Sequence, residues 1–135
     1  FLHLGIGHLA GNTIGVVLLG GLVLLRDEAD FWSVTFIGAL VGGMGLWLVG
    51  RPAMHVGASG IIFSYFGYLI STGYFERRFG SILLSAVAAV LWGGLVFGIL
   101  PGQPGISWEG HACGLLAGVL AAWLIARFGR RRPSG

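Results

Sequence analysis

The chain has 135 residues, of which 56% are hydrophobic and only 10% are charged, and its mean hydropathy is +0.88. This composition excludes a soluble domain with an ordinary charged surface, and 26 glycines are typical of membrane helices that pack through small residues. We therefore predict an all-α integral membrane protein. The net charge of +3 is carried by scattered arginines, which indicates contact with the lipid bilayer and no nucleic-acid partner.

Five apolar stretches follow one another along the chain, each close to the ~20 residues that cross ~30 Å of hydrocarbon. We predict that they are the membrane-spanning helices of one domain at residues 1–128, followed by a basic tail at 129–135. The predicted spans cover residues 1–25, 31–49, 57–73, 81–100 and 111–126.

The positions of the arginines predict the orientation of these spans, because cytoplasmic connections are rich in Arg and Lys. Seven of the eight arginines fall on one side of the five-span arrangement, and only Arg51 falls on the other. The N-terminus is therefore predicted outside and the basic tail inside, next to anionic lipid. Residues 26–30 and 74–80 are predicted as charged connections on the inner side.

The first span carries three polar side chains, His3, His8 and Asn12. Placing such groups in hydrocarbon costs free energy, so they mark a candidate functional site. His8 and Asn12 are four residues apart and share one helical face, whereas His3 lies about 140° away from His8. We predict that His8 and Asn12 act together and that His3 has a structural role.

The third span opens with Gly57-Ala58-Ser59-Gly60 and is short. From Gly57 to Ile70 an α-helix would extend only ~21 Å, so the stretch at 51–56 is expected to descend into the membrane as a loop. Ser59 then lies at a helix N-terminus beside water from the outer side. Backbone N–H groups at such a terminus can bind a developing anion.

The last span opens with His111, at the same predicted depth as Ser59. Serine becomes an effective nucleophile when a base removes its proton, and histidine is the usual base. Glu109 is the only acid predicted on the outer side and is expected to point away from His111, so we predict a Ser-His dyad without a carboxylate. His8, Asn12 and the Ser59 N–H would bind the oxyanion. No metal or cofactor is predicted.

Small residues predict a close approach of the third and fifth spans. Gly114 and Gly118 follow His111 at helical spacing, and Gly67 lies eight residues after Ser59. Glycines on facing helices allow the two backbones to come into contact. Ser59 and His111 could then meet.

Each of these features also has an ordinary interpretation. Gly-Ala-Ser-Gly is common where helices touch, a single histidine can cap a helix or bind a metal, and His8 with Asn12 could simply join two helices. Cys113 lies about 200° around the helix from His111 and is predicted to pack, and His55 is predicted as a loop residue. The conjunction of the other polar residues at one depth favours catalysis.

Together these residues resemble the rhomboid family of intramembrane serine proteases, and the resemblance covers essentially the whole chain. The matching motifs are His3-x4-His8-x3-Asn12, Gly57-x-Ser59-Gly60 with Phe63 and Gly67, and His111 with Gly114 and Gly118. The resemblance implies a rhomboid-like helical bundle, with Ser59 as nucleophile and His111 as general base and acid. It also implies that His8, Asn12 and the Ser59 backbone hold the oxyanion.

The resemblance further implies that Phe63 packs against the catalytic histidine, at a position where Tyr is frequent. The connection at 101–110 matches a loop that caps the active site and moves to admit substrate. The family core normally has six spans, with a first span and a long outer loop before the motif at His3. We therefore interpret the chain as a fragment that lacks both.

The leading hypothesis is an intramembrane serine endopeptidase that cleaves transmembrane protein substrates through an acyl-enzyme. The alternative is a non-catalytic rhomboid-like protein that binds membrane proteins, which the retained Ser59 and His111 disfavour. A transporter or channel would need polar residues continuing to the inner side, where the spans are apolar apart from isolated Ser, Thr and Tyr. The expected location is a bacterial inner membrane, with the active site open to the outer side.

Overall fold

The computed structural model of the chain describes residues 2–50 and 58–129, and at residues 2–4 it describes the backbone alone. Every regular element in these residues is helical, which confirms the predicted all-α class. The predictions for His55, Gly57, the side chain of His3 and the arginines of the tail lie outside the described residues.

The first two long helices are antiparallel and each contains a π-helical turn. The first consists of α1 (Leu2–Gly15), the π-helical turn Val16–Gly20 and α2 (Gly21–Arg26). The second consists of α3 (Glu28–Ile37), the π-helical turn Gly38–Gly42 and α4 (Gly43–Val49). Asp27 separates them with extended backbone, and its side chain caps α3 by accepting a hydrogen bond from the Asp30 N–H (3.1 Å).

The remaining helices are α5 (Ser59–Glu76), α6 (Phe79–Trp92), which continues into the 3₁₀ helix Gly93–Ile99, and α7 (Trp108–Phe128). α5 ends at Glu76, and the left-handed backbone of the next residue, Arg77 (φ 55°), turns the chain toward α6. α7 begins at Trp108, one turn before the predicted start at His111, because Ser107 caps it. His111 therefore lies inside the helix.

Four helices of the described residues are long and apolar enough to cross a membrane: Gly5–Arg26, Glu28–Val49, Phe79–Ile99 and Trp108–Phe128. They fall on four of the five predicted spans. α5 falls on the other, but it is more polar, with three Ser, three Tyr, a Thr and a Glu. It is also the central helix, with every residue from Ile62 to Leu69 buried. A helix that other helices shield from lipid does not need an apolar surface.

α5 and α7 pack backbone against backbone. A methyl group at Gly114 would overlap the Gly60 carbonyl, and one at Gly118 would overlap the Ser64 carbonyl. The Ser64 hydroxyl donates to the Gly114 carbonyl (3.0 Å), which adds a hydrogen bond between the two helices. The structure confirms the close approach that the glycines predict.

Polar groups on α5 also bond to its other neighbours. The Tyr65 hydroxyl lies 2.7 Å from the Thr35 hydroxyl of α3. On α6, Ser85 donates to the Leu69 carbonyl (2.7 Å) and accepts from the Gly73 N–H (2.8 Å). These bonds satisfy polar groups that would be costly in hydrocarbon.

A second set of polar side chains joins α2, α5 and α6 at the end of the bundle opposite the start of α5. Arg26 forms an ion pair with Glu76 and donates to Thr72 (3.1 Å) and Ser81 (3.2 Å). Ser81 also donates to Glu76. The Arg26 guanidinium lies 5.6 Å from the centre of the Tyr68 ring, in range of a cation–π contact.

Asp30 departs from the prediction that residues 26–30 form a connection. It lies within α3, is 6% exposed, and accepts a hydrogen bond from the Tyr68 hydroxyl. The physical reason is the cap at Asp27, which lets α3 start immediately and carries Asp30 into the bundle. The connection between the first two long helices is thus a single residue.

We predict that Gly118→Ala destabilises the fold and that Gly21→Ala does not. The added methyl at Gly118 meets backbone atoms that cannot rotate away, which costs about 1–3 kcal/mol or more. Nothing lies within 4 Å of the corresponding methyl at Gly21, where alanine is the better helix former. Denaturant titration in detergent micelles measures both. Equal stabilities would contradict the proposed backbone contact.

We also predict that Glu76→Met destabilises the protein by about 3–5 kcal/mol, because it leaves Arg26 largely buried without its ion-pair partner. The two side chains are only 12% and 10% exposed. The control is Arg77→Gln, which alters an exposed charge next to Glu76 and should change stability by less than about 0.5 kcal/mol. The same titration applies, and similar effects of both changes would show that the network contributes little.

Candidate active site

Ser59 is the first residue of α5 and is half-buried. The N-cap position is Ala58, whose side chain cannot accept a hydrogen bond from the first turn. The first N–H groups of a helix have no partner within the helix, and the helix dipole favours negative charge there. A nucleophile at this position therefore stands beside groups that can stabilise an anion.

His111 is held at its backbone and at its ring. Its N–H donates to the Ser107 carbonyl (3.1 Å), and the Ser107 side chain caps α7 by accepting from Gly110 (3.2 Å). Its ring stacks on Phe63, with centroids 4.2 Å apart and planes at 11°. Phe63 lies four residues after Ser59, so the histidine ring lies on the Ser59 face of α5, one turn further into the bundle.

The Gly98 carbonyl is a site group that the sequence reasoning missed. It lies 2.9 Å from His111 Nδ1. A carbonyl oxygen can only accept, so Nδ1 carries a proton, and in the neutral imidazole Nε2 then keeps a lone pair. Every residue has a backbone carbonyl, so residue type gives no signal for this one. The small residue fits a tight space, since a Cβ there would lie 3.1 Å from His111 Nδ1 and 3.0 Å from Phe63.

Within the described residues, no hydrogen bond joins Ser59 to His111. Catalytic hydrogen bonds are often long in structures without substrate and shorten in the reacting complex. The two helices touch beside the pair, because a Cβ at Gly60 would lie 3.7 Å from the Gly110 carbonyl. A cavity of about 190 Å³, lined mainly by glycines of α5, α7 and the second long helix, has Ser59 and Ser107 in its wall.

His8 and Asn12 lie on the side of α1 that faces the start of α5. Gly15, one turn inward from Asn12, is packed against Ile62, since a Cβ there would lie 2.9 Å from the Ile62 side chain. Next to this contact, at the start of α5, a cavity of about 380 Å³ is lined by His8 and Asn12 of α1 and by Ala58.

The supporting residues of the motifs divide between two structural roles. Gly60, Gly114 and Gly118 form the backbone contact between α5 and α7, and Phe63 stacks on the histidine.

Cys113 faces α4, where a Cβ at Gly45 would lie 3.1 Å from its sulfur. The described residues contain no group of three or more His, Cys, Asp or Glu side chains that could hold a metal ion.

Relatives of this chain occur among bacterial proteins. The uncharacterized protein Rv1337 of Mycobacterium tuberculosis (strain ATCC 25618 / H37Rv) is 39% identical over an alignment 134 residues long. The alignment covers 93% of this chain and 56% of the relative. Rhomboid protease GluP of Bacillus subtilis (strain 168) is 30% identical over 122 residues, which cover 90% of this chain and 24% of the relative. The chain thus spans about half the length of its mycobacterial relatives.

No solved structure matches the chain at a significant level. The family model of the rhomboid domain matches residues 1–128. This match includes α1 to α7 and therefore every residue of the candidate active site. The chain belongs to the rhomboid family.

Proposed function

We propose that this protein is an intramembrane serine endopeptidase in which Ser59 is the nucleophile and His111 is the general base. One observation carries the proposal: the His111 ring is stacked on Phe63 one turn from Ser59, with Nδ1–H bonded to Gly98. In the neutral imidazole this arrangement leaves Nε2 free to take the proton from Ser59. The carbonyl does the orienting work that a carboxylate does in many serine hydrolases.

In the proposed reaction, His111 Nε2 removes the proton from Ser59 Oγ while Oγ attacks the carbonyl carbon of the scissile peptide bond. The tetrahedral intermediate collapses, the C–N bond breaks, and the imidazolium gives its proton to the leaving amine. The product is an acyl-enzyme on Ser59. Water then attacks the ester with Nε2 again acting as base, and the proton returns to Ser59 Oγ as the acid product leaves.

His8, Asn12 and the Ser59 N–H are proposed to hold the oxyanion of each tetrahedral intermediate. The cavity between α1 and Ala58 gives room for this oxygen beside the first turn of α5. Donors fixed in place before the reaction stabilise developing charge without reorganisation. The position of Gly15 against Ile62 supports the alignment of the two helices on which this site depends.

We further propose that α5 is a fifth membrane span, so that residues 1–128 form one rhomboid-like transmembrane domain with its N-terminus outside. The burial of α5 by its neighbours and its start at Ser59 support a helix that begins below the outer surface. The active site would then open to the outer side of a bacterial inner membrane. The name of the Bacillus relative, a rhomboid protease, supports the same activity here.

The proposed substrates are transmembrane proteins, because only a chain that enters the bilayer can reach a serine at this depth. The glycine-lined cavity beside Ser59 leaves room for a small side chain of the substrate. The loop between the 3₁₀ helix and α7 is proposed to move when substrate binds.

We predict that Ser59→Ala and His111→Ala each lower the cleavage rate by at least ~1,000-fold, as the loss of a nucleophile or base does in serine hydrolases. The assay is cleavage of a single-span reporter protein by the protein at its natural full length in liposomes. The control is Ser33→Ala, whose hydroxyl donates to the Ala29 carbonyl of its own helix (2.7 Å). Cleavage by the Ser59 variant at the parent rate would refute the mechanism, whereas a parent protein that cleaves nothing would favour a non-catalytic binding role.

A further prediction concerns the oxyanion donors. Asn12→Ala should lower kcat by ~100-fold and leave KM nearly unchanged, because the donor acts mainly when the oxyanion forms. The matched control is Thr13→Ala, since Thr13 lines the same cavity but donates to the Leu9 carbonyl of its own helix (2.8 Å). An equal loss in kcat for both variants, or none for Asn12→Ala, would show that Asn12 does not bind the oxyanion.

A further inference from the structure

The loop that joins the 3₁₀ helix to α7 is attached to the residue before Gly98. The Gln103 side chain donates from Nε2 to the Phe97 carbonyl (2.7 Å). This carbonyl also accepts the Leu100 N–H (3.2 Å), the bond that ends the 3₁₀ helix. Gln103 thus bonds to the residue six positions earlier. The carbonyl of the following residue, Gly98, is the one that accepts from His111.

The other end of the loop is attached to Gln103 as well. The Gln103 carbonyl accepts the Ile106 N–H (3.3 Å), and Ile106 precedes the cap of α7 at Ser107. The intervening backbone is kinked at Gly102 (φ 92°) and Gly105 (φ 74°), a conformation that other residues rarely adopt. Gln103 is therefore bonded to the residues that precede both partners of His111. Phe97 precedes Gly98, which binds the His111 ring, and Ile106 precedes Ser107, which binds the His111 backbone.

Gly98 needs such support. A Cβ at Gly98 would lie 3.0 Å from the Phe63 ring and 3.1 Å from His111 Nδ1, so a larger residue would press on one of these rings. Glycine has the widest backbone freedom of any residue, and its carbonyl can therefore turn away from the histidine unless its neighbours are fixed. The Phe97 carbonyl belongs to the peptide group that enters Gly98, and a hydrogen bond to this carbonyl restrains that peptide plane.

We propose that Gln103 is a positioning residue for His111, acting through the Phe97 peptide group and the Gly98 carbonyl. This role rests on the proposed function insofar as His111 is the base. Without the Gln103 amide, the Gly98 carbonyl turns more freely and His111 Nδ1–H loses its partner for part of the time. The imidazole then populates the other tautomer, in which Nε2 carries the proton and cannot accept one from Ser59.

The test is the tautomer of His111, observed directly. The natural full-length protein is prepared with ¹⁵N-labelled histidine in detergent micelles, and the His111 signals are assigned by their loss in His111→Ala. Gln103→Met keeps the length of the side chain and removes the donor, and Gln103→Glu removes the donor but stays polar. Gln103→Lys restores an N–H donor, and Pro104→Ala changes an exposed neighbour in the same loop.

We expect the parent, Gln103→Lys and Pro104→Ala to show His111 protonated at Nδ1. In Gln103→Met and Gln103→Glu, a second tautomer should appear and the Nδ1 proton should exchange with water several-fold faster. Where the parent cleaves substrate, these two variants should lose ~10-fold in kcat with KM little changed, as for a misplaced catalytic group. A change in KM alone would overturn the proposed role.

The two proposals fail in different ways. Unchanged His111 spectra in both Gln103→Met and Gln103→Glu would overturn the positioning role, whatever the cleavage rates. A tautomer shift in those variants together with a parent that cleaves nothing would support the positioning role and refute the protease.

Discussion

The contact between the backbones of α5 and α7 is the constraint on which the rest of the structure depends. In a membrane, helices associate through close packing and not through a hydrophobic driving force, so the approach distance decides how strongly they bind. Gly60, Gly114 and Gly118 reduce that distance to backbone contact. The same contact that stabilises the bundle also places the start of α5, which carries Ser59, beside the first turn of α7, which carries His111.

α5 carries polar groups at both of its ends, and its central position makes this possible. At one end Ser59 and Phe63 form the candidate site, and at the other Glu76 and Thr72 bind Arg26. Because neighbouring helices surround it, each buried polar group finds a partner within the protein and not in lipid. A more apolar α5 would cross hydrocarbon easily but could not hold either set.

Much of this arrangement could be predicted from the sequence. Hydropathy located the long helices, because the cost of exposing polar groups to lipid leaves a strong signal over ~20 residues. The spacing of Gly114 and Gly118 predicted the helix contact, and the rarity of histidine and asparagine in apolar spans pointed to His8, Asn12 and His111 as candidates. These are local properties of residue type and helical period.

The features that the sequence did not reveal depend on contacts between distant segments or on the backbone. The Gly98 carbonyl orients His111, but every residue has a carbonyl, so only the fold distinguishes this one. Asp30 is a charged residue of the kind expected in a connection between helices. It is instead buried against Tyr68, because α3 already begins directly after the cap residue Asp27. The start of α7 at Trp108 likewise follows from the Ser107 cap.

The central claim is that the packing of α5 on α7 activates one serine through one histidine. The most direct measurement is mass-spectrometric mapping of the residue that a fluorophosphonate modifies in the folded protein. A single adduct on Ser59, absent after His111→Ala, is the predicted result. An adduct on another hydroxyl residue, or labelling of Ser59 at the same rate without His111, would contradict the account.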